Sequence, residues 1–460
     1  MNTSALPKTF PNIIGSEFAE RCSYYAVSVL TPVCLTQKFG MTSASASGIM
    51  YQFITISYCT CVLGGIVADW YLGRFRAILF FSWFTVAGHL LLASFMDSPA
   101  GFRIALACIA VGTGFIKPNV SALLGDQYGP TAGEARLAHA FNWFYFSINA
   151  GSILSFTLAP VLPGLGGFGW PGAYAFPAVM MAAALILLWA GKKYYVRIPP
   201  TRTPQVTFIG MNIKALLLYF RQPGENPWKI LERRYGEEKI DGVLAVWRVT
   251  LFFLFVPIAW SAYHTNGVDW LLDARSDYMI KTFFGIELQA GQLQTVNPVC
   301  ILTFIPVSLW LFPRLERWTG MAFTTRRKML AGFILLLTAM LMESWVSHQI
   351  DLHRPVHAGW QVLALVVLSA AEVLISISGL QYGYTHAPRS MKSTIGSIWL
   401  LTTAVGNGLN AFLKSLAEHD PVFAFLKCNT LFYWLLCGIL ALTALLYWSV
   451  MSKLKEKIYV

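Results

Sequence analysis

The chain has 460 residues, of which 56% are apolar, 15% aromatic and only 12% charged, and its mean hydropathy is +0.56. This composition excludes two to three ordinary soluble domains and predicts a polytopic, all-α membrane protein. A net charge of +12 raises nucleic acid as a partner, but the basic residues follow membrane loops rather than one binding face, and no nucleic-acid binding is expected.

Residues 1–10 are polar and run straight into the first apolar stretch, without the short apolar core and cleavage site of a signal peptide, so the first helix is expected to be retained. Against the roughly 20 residues needed to span hydrocarbon, apolar stretches predict helices over 11–38, 44–69, 77–95, 101–122, 136–160 and 171–195. A second set is predicted over 243–266, 287–313, 327–348, 357–386, 390–417 and 428–452. Between them lies the long polar segment 196–242, with Pro199, Pro200, Pro204, the run Glu232-Arg233-Arg234 and the run Glu237-Glu238-Lys239. Twelve transmembrane helices in two six-helix bundles, 1–195 and 243–460, joined by a linker over 196–242, is the layout of a two-half transporter. Within the linker, 208–220 reads as an amphipathic piece lying along the membrane surface.

Of the 34 Lys and Arg residues, 24 fall in loops on the side of both termini and the linker, Arg389, Lys453, Lys455 and Lys457 among them. Seven fall opposite, including Lys414, and Arg21, Lys117 and Arg248 lie within or at the edge of predicted helices. The imbalance predicts cytoplasmic termini and linker, in a plasma or inner membrane. The eight cysteines lie almost entirely in apolar runs and read as free core thiols; Cys59 and Cys61 have neither metal nor redox spacing. No HExxH, GxSxG or Walker-type motif appears, and His139, His348, His353 and His357 lack ligand spacing, so no enzyme, metal or cofactor is expected.

The stretch SEFAERCSYYA, residues 16–26, carries Glu17, Glu20, Arg21, Tyr24 and Tyr25 at i, i+3, i+4, i+7 and i+8, a single helical stripe. A charge at a bilayer centre costs roughly 2.5–3.5 kcal/mol on insertion scales, so such groups face protein or water and serve a purpose. A purely structural Glu–Arg pair also fits the spacing. Two further charges sit deep in apolar stretches: Lys117, before a Pro118 that predicts a bend, and Glu372. Arg21 and Lys117 at one pole with Glu372 at the other would suit a zwitterionic ligand. The alternative is a permanent pair of Lys117 with Glu17 or Glu20, which leaves Glu372 without an obvious basic partner. Protonation of a buried carboxylate depends on whether a cation stands beside it, which is the physical basis of proton coupling; at 100 mV each inward proton contributes about 2.3 kcal/mol. Tyr24, Tyr25, Tyr58, Trp260 and Trp399, with the amides Asn149 and Asn297, complete a candidate pocket, although each also fits an interfacial belt or helix packing.

These residues resemble the proton-dependent oligopeptide transporters, the peptide branch of the major facilitator superfamily. EFAERCSYY (17–25) looks like the family's ExxERxxYY motif, and GGIVADWYLGRFRAI (64–78) like its loop after helix two. GTGFIKPNVSALLGDQYG (112–129) and FNWFYFSINAGSI (141–153) resemble signatures of helices four and five. QTVNP (294–298), AEVLISISGLQYGYTHAPRSMKS (371–393) and WLLTTAVGN (399–407) extend the likeness through the second half.

The resemblance implies a major facilitator fold and proton-coupled symport of di- and tripeptides by alternating access, with protons as coupling ion and no cofactor. It assigns Arg21 and Lys117 to the peptide carboxylate, and Glu372 with Asn149 and Asn297 to its amino terminus. Glu17 and Glu20, with Arg21 and Lys117, become the proton-coupling group, and Tyr24, Tyr25, Tyr58, Trp260 and Trp399 the aromatic walls. The implied partners are short peptides and the lipid bilayer, and the implied working unit a monomer. One departure stands out: where the family usually has an aromatic followed by an acid and Gln in helix seven, this chain has His264 near the acid and Thr265 near the Gln. That difference keeps open the same fold carrying nitrate or an amino-acid-like or drug-like solute, and places His264 at the outer mouth.

Overall fold

Six long helices precede the polar segment: α1 (Phe10–Gln37), α2 (Ser43–Val67), α3 (Arg74–Ser94), α4 (Pro99–Asp126), α5 (Glu134–Leu158) and α6 (Gly169–Ala190). The computed structural model describes residues 6–128, 134–167, 169–200, 207–222, 224–388 and 391–452. Gly129, Pro204, Arg389, Ser390, Lys453, Lys455 and Lys457, on which parts of the orientation, linker and motif readings rest, lie outside them. Starts are set locally: Thr42 and Ser98 accept hydrogen bonds from the backbone N–H of Ser45 and Gly101, capping α2 and α4. α4 continues as one helix through Pro118.

Two short helices follow, α7 (Phe208–Arg221) and α8 (Pro227–Tyr235). α7 coincides with the expected amphipathic piece: Met211 and Ala215 are buried while Ile209, Ile213, Leu216 and Phe220 are exposed. The sequence reading contained no counterpart of α8. The seventh long rod begins at Glu237 and is broken: α9 (Glu237–Phe253) meets α10 (Val256–His264) at a 45° bend, and a turn then leads into α11 (Asp269–Asp273). Pro257 in the first turn of α10 supplies the break, having no N–H to continue the ladder. The remaining rods are α12 (Val296–Thr319), α13 (Thr325–Asp351), α14 (Gly359–Thr385), α15 (Lys392–His419) and α16 (Asn429–Met451). Between α11 and α12 lie two-residue strands: Met279–Ile280 pairs in parallel with Val356–His357, and Thr282–Phe283 in antiparallel with Ile286–Glu287.

The twelve rods form the two bundles of a major facilitator fold. Among the described residues, nine helices are long and apolar enough to cross a membrane, or ten with the bent pair counted as one span. α1 and α15 fall short because each buries polar side chains, Glu17, Glu20 and Arg21 in one, Asn407, Asn410 and Lys414 in the other. Within the first half α1 packs on α5 and α6, and α4 on α2 and α3; within the second α13 packs on α14 and α16, and α10 on α15. The halves meet mainly through α2 on α15 and α5 on α12. Two glycines allow the closest approaches. A Cβ at Gly114 would overlap Thr60 of α2, and one at Gly151 would stand 2.6 Å from the Phe18 carbonyl of α1.

Candidate functional site

The stripe on α1 forms one compact ionic group. Arg21 grips Glu20 with both arms of its fork, Nε to Oε2 at 2.5 Å and a terminal nitrogen to Oε1 at 2.7 Å, and its Nε lies 3.4 Å from Glu17. Bidentate pairing of this kind is among the stronger polar interactions available to a side chain. The three are 2–5% exposed. The α5 backbone closes over them, with Ser155 donating to the Cys22 carbonyl at 2.6 Å.

Beside this group lies a cavity of about 260 Å³ with walls from both halves, close to the lower end of small-molecule pockets, which run from about 300 Å³. At one pole the Lys117 ammonium stands 3.8 Å over the Tyr58 ring and makes no ion pair among the described residues, so the Lys117–Glu17 or Lys117–Glu20 pair considered from sequence is not formed. At the other pole Glu372 accepts from Asn297 Nδ2 at 3.0 Å, and the same amide donates to Ser369 at 3.0 Å. Tyr24, Tyr25, Asn149, Trp260 and Trp399 also line it. Trp260 is fixed by its Nε1 donating to Thr402 at 3.2 Å, with its ring 5.9 Å from that of Trp399.

Nine of the residues singled out from sequence thus surround one cavity. Arg21, Glu17 and Glu20 do not line it but lie in the layer behind, the guanidinium 5.2 Å from the Tyr24 ring. His264 is a wall residue, its Nδ1 paired with the Trp260 carbonyl at 2.9 Å, whereas Thr265 is buried and donates to the Ala262 carbonyl. Tyr145 and Tyr263 line the cavity and were missed. The missed signal is helical spacing: Tyr145, Ile148, Asn149, Ser152 and Phe156 make one stripe of α5, as Trp260, Tyr263, His264 and Gly267 do after the bend.

A second buried ionic network was also missed. Lys414 is no loop residue: it lies inside α15, 1% exposed, with its ammonium 3.1 Å from Asp269 and 3.1 Å from the Asn429 amide oxygen. Asp269 accepts from Ser47 at 2.7 Å and from Tyr51, both on α2 of the opposite half. Asp273 accepts from Asn429 at 2.7 Å and Tyr433 at 2.8 Å. Nearby, Glu343 accepts from Gln361 at 2.7 Å. Arg275 donates to Thr36 at 2.9 Å, Gln292 to the Thr157 carbonyl at 3.1 Å, and Thr42 to Glu418. These bonds and the two to Asp269 cross from one half to the other. All of them lie at the end of the molecule carrying the α1–α2 turn, which is therefore the sealed end. The cysteines differ from expectation as well: Cys22, Cys34, Cys61 and Cys437 are buried, but Cys59 is exposed.

Two helical bundles enclosing a polar, aromatic cavity that is sealed at one end by contacts between them define a membrane transporter. The chain belongs to the POT family, whose sequence profile matches residues 75–427. A solved structure described as an auto-inhibited POT family peptide transporter superposes with a TM-score of 0.89 at 27% identity, covering 98% of each chain. Human solute carrier family 15 member 2 is 30% identical over 396 residues, 82% of this chain and 54% of its own length. Peptide transporter family 2 of Caenorhabditis elegans is 30% identical over 365 residues, 72% of this chain and 46% of its own. The chain spans about half the length of the curated relatives it matches.

Proposed function

We propose that the protein is a proton-coupled symporter of di- and tripeptides working by alternating access. The observation that carries this reading is a cavity with an unpaired ammonium, Lys117, at one pole and a carboxylate, Glu372, at the other, walled by aromatics and recessed between two halves. A zwitterion of peptide length satisfies both poles through its termini, leaving its side chains to aromatic walls that discriminate weakly. Asn297, already on Glu372, and Asn149 assist at the amino-terminal pole.

Coupling is assigned to the group behind the cavity. A proton on Glu20 removes the charge that holds Arg21, and the released guanidinium is free to turn toward the peptide carboxylate beside Lys117; Glu17 stands close enough to take over the proton or the cation. Residues 1–195 and 243–460 are the moving bundles and 196–242 their linker. With termini and linker in the cytoplasm of a plasma or inner membrane, as the distribution of Lys and Arg argues, the sealed end faces outward and the cavity serves the cytoplasmic side. One chain holds a complete cavity, so the working unit is a monomer.

The test is competition for uptake of labelled dialanine by proteoliposomes containing the purified full chain. Unlabelled di- and tripeptides compete, while free alanine and nitrate do not. Inhibition by nitrate or single amino acids, with peptides without effect, would retain the fold and discard the substrate.

A further inference from the structure

The wall after the bend in the seventh rod presents His264 to the cavity, and its geometry defines what it offers. A carbonyl oxygen can only accept, so the 2.9 Å contact with the Trp260 carbonyl places a proton on Nδ1. The other ring nitrogen, Nε2, has no partner among the described residues. The imidazole is wedged among aromatic rings, with centroids 5.0 Å from Tyr263, 5.8 Å from Trp260 and 6.4 Å from Tyr58. Tyr58 in turn carries Lys117 at 3.8 Å, so one tyrosine ring separates His264 from the cationic pole.

The lining side chains other than tyrosine that can carry charge are Lys117, His264 and Glu372. In a bound zwitterion the two termini occupy Lys117 and Glu372. The second side chain of a dipeptide, held beside the carboxylate pole, then meets Tyr58 and His264. A cationic side chain there finds no carboxylate, because Glu17 and Glu20 are both turned to Arg21 behind the wall and Asp269 is committed to Lys414 and α2 at the sealed end. It also lies close to the Lys117 ammonium. An ammonium can also donate to Nε2, but only against the repulsion of Lys117, whereas a hydroxyl donates there without that cost.

Building on the peptide-transport reading, we propose that the wall position held by His264 sets specificity for the second side chain: it places no carboxylate in front of the Lys117 pole, and the cavity therefore selects against dipeptides with a cationic second side chain. Charge at the first position is governed differently, because that side chain lies toward Glu372. Like charges brought together in a recessed site cost enough to be read as a change of at least about tenfold in affinity.

The experiment measures inhibition constants of Ala-Ala, Ala-Ser, Ala-Lys and Lys-Ala against labelled dialanine uptake, for the native chain and for His264→Asp and His264→Gln. For the native chain Ala-Lys is at least about tenfold weaker than Ala-Ala, and Lys-Ala is penalised less. His264→Asp brings the Ala-Lys to Ala-Ala ratio close to one while leaving the Lys-Ala to Ala-Ala ratio in place; His264→Gln, which restores no charge, keeps the discrimination. Equal competition by Ala-Ala and Ala-Lys in the native chain, or a loss of discrimination in His264→Gln as large as in His264→Asp, overturns the proposal and leaves peptide transport standing. Failure of every peptide to compete overturns both. The native-chain comparison needs no variant, so a substitution that fails to fold does not remove the test.

Discussion

Two buried ionic groups in this protein are built to opposite plans. In α1, one cation and two carboxylates lie within five residues of one helix, inside one half and directly behind the cavity. At the sealed end, Asp269, Asp273 and Lys414 come from α11 and α15 of the second half, and Asp269 also takes Ser47 and Tyr51 from the first. When the halves part, the α1 group loses none of its internal contacts, whereas Asp269 must give up both bonds to α2 and keeps only Lys414. A charge cluster contained in one bundle can change its proton content without the bundles moving; one that straddles them holds a conformation. Retaining Lys414 also means that Asp269 is never left as an unpaired charge in a recessed site, the state that is most costly.

Four sets of substitutions, in the two groups and in the cavity, break or sharpen that contrast, from the largest effect to the smallest. Glu20→Gln removes the group proposed to exchange the proton, so gradient-driven accumulation of dialanine should be abolished while counterflow exchange persists; undiminished uphill uptake would remove Glu20 from the coupling group. Lys414→Ala leaves Asp269 buried without its cation, a loss of about 3–5 kcal/mol, read as a large fall in the melting temperature of the purified protein. Lys414→Ala with Asp269→Asn should recover most of it. Lys117→Ala and Glu372→Gln each delete one charged contact with the peptide, worth about 1.5–3 kcal/mol or roughly 10–150-fold in binding affinity, with little change in melting temperature. Tyr51→Phe removes the Tyr51 bond to Asp269 between the halves. At the average of about 0.6 kcal/mol for interhelical bonds in membranes, it should raise the fraction open at the sealed end roughly threefold, measured by labelling of a cysteine introduced at Gly48, where an added Cβ stands 3.6 Å from Lys414 of α15. An unchanged labelling rate would show that the bond does not hold that end shut.

The same contrast explains what could be read from the sequence. Glu17, Glu20 and Arg21 declare themselves because their partners lie on one helical stripe. Asp269 and Lys414 are 145 residues apart, as the bond between Lys414 and Asp269 shows, and a lysine a few residues from a helix end is indistinguishable in sequence from a loop charge. The long rods were visible because apolar length is a strong signal. Their rotation was not: lipid-facing and core-facing side chains are alike in polarity, which is why Cys59 was expected in the core and is exposed. The bend at Pro257 and the wall residues Tyr145 and Tyr263 follow helical geometry once the neighbouring site residues are known, but neither carries a charge that would have marked it.

The most direct test of the account is uptake of labelled dialanine into proteoliposomes of the full chain, with and without an inward proton gradient and a negative interior, and after adding a protonophore. Accumulation above the external concentration only while the gradient lasts, collapsing with the protonophore, is the result predicted. Equal uptake under all three conditions, stopping at equilibration, would contradict coupling and leave the Glu17, Glu20 and Arg21 group as structure alone.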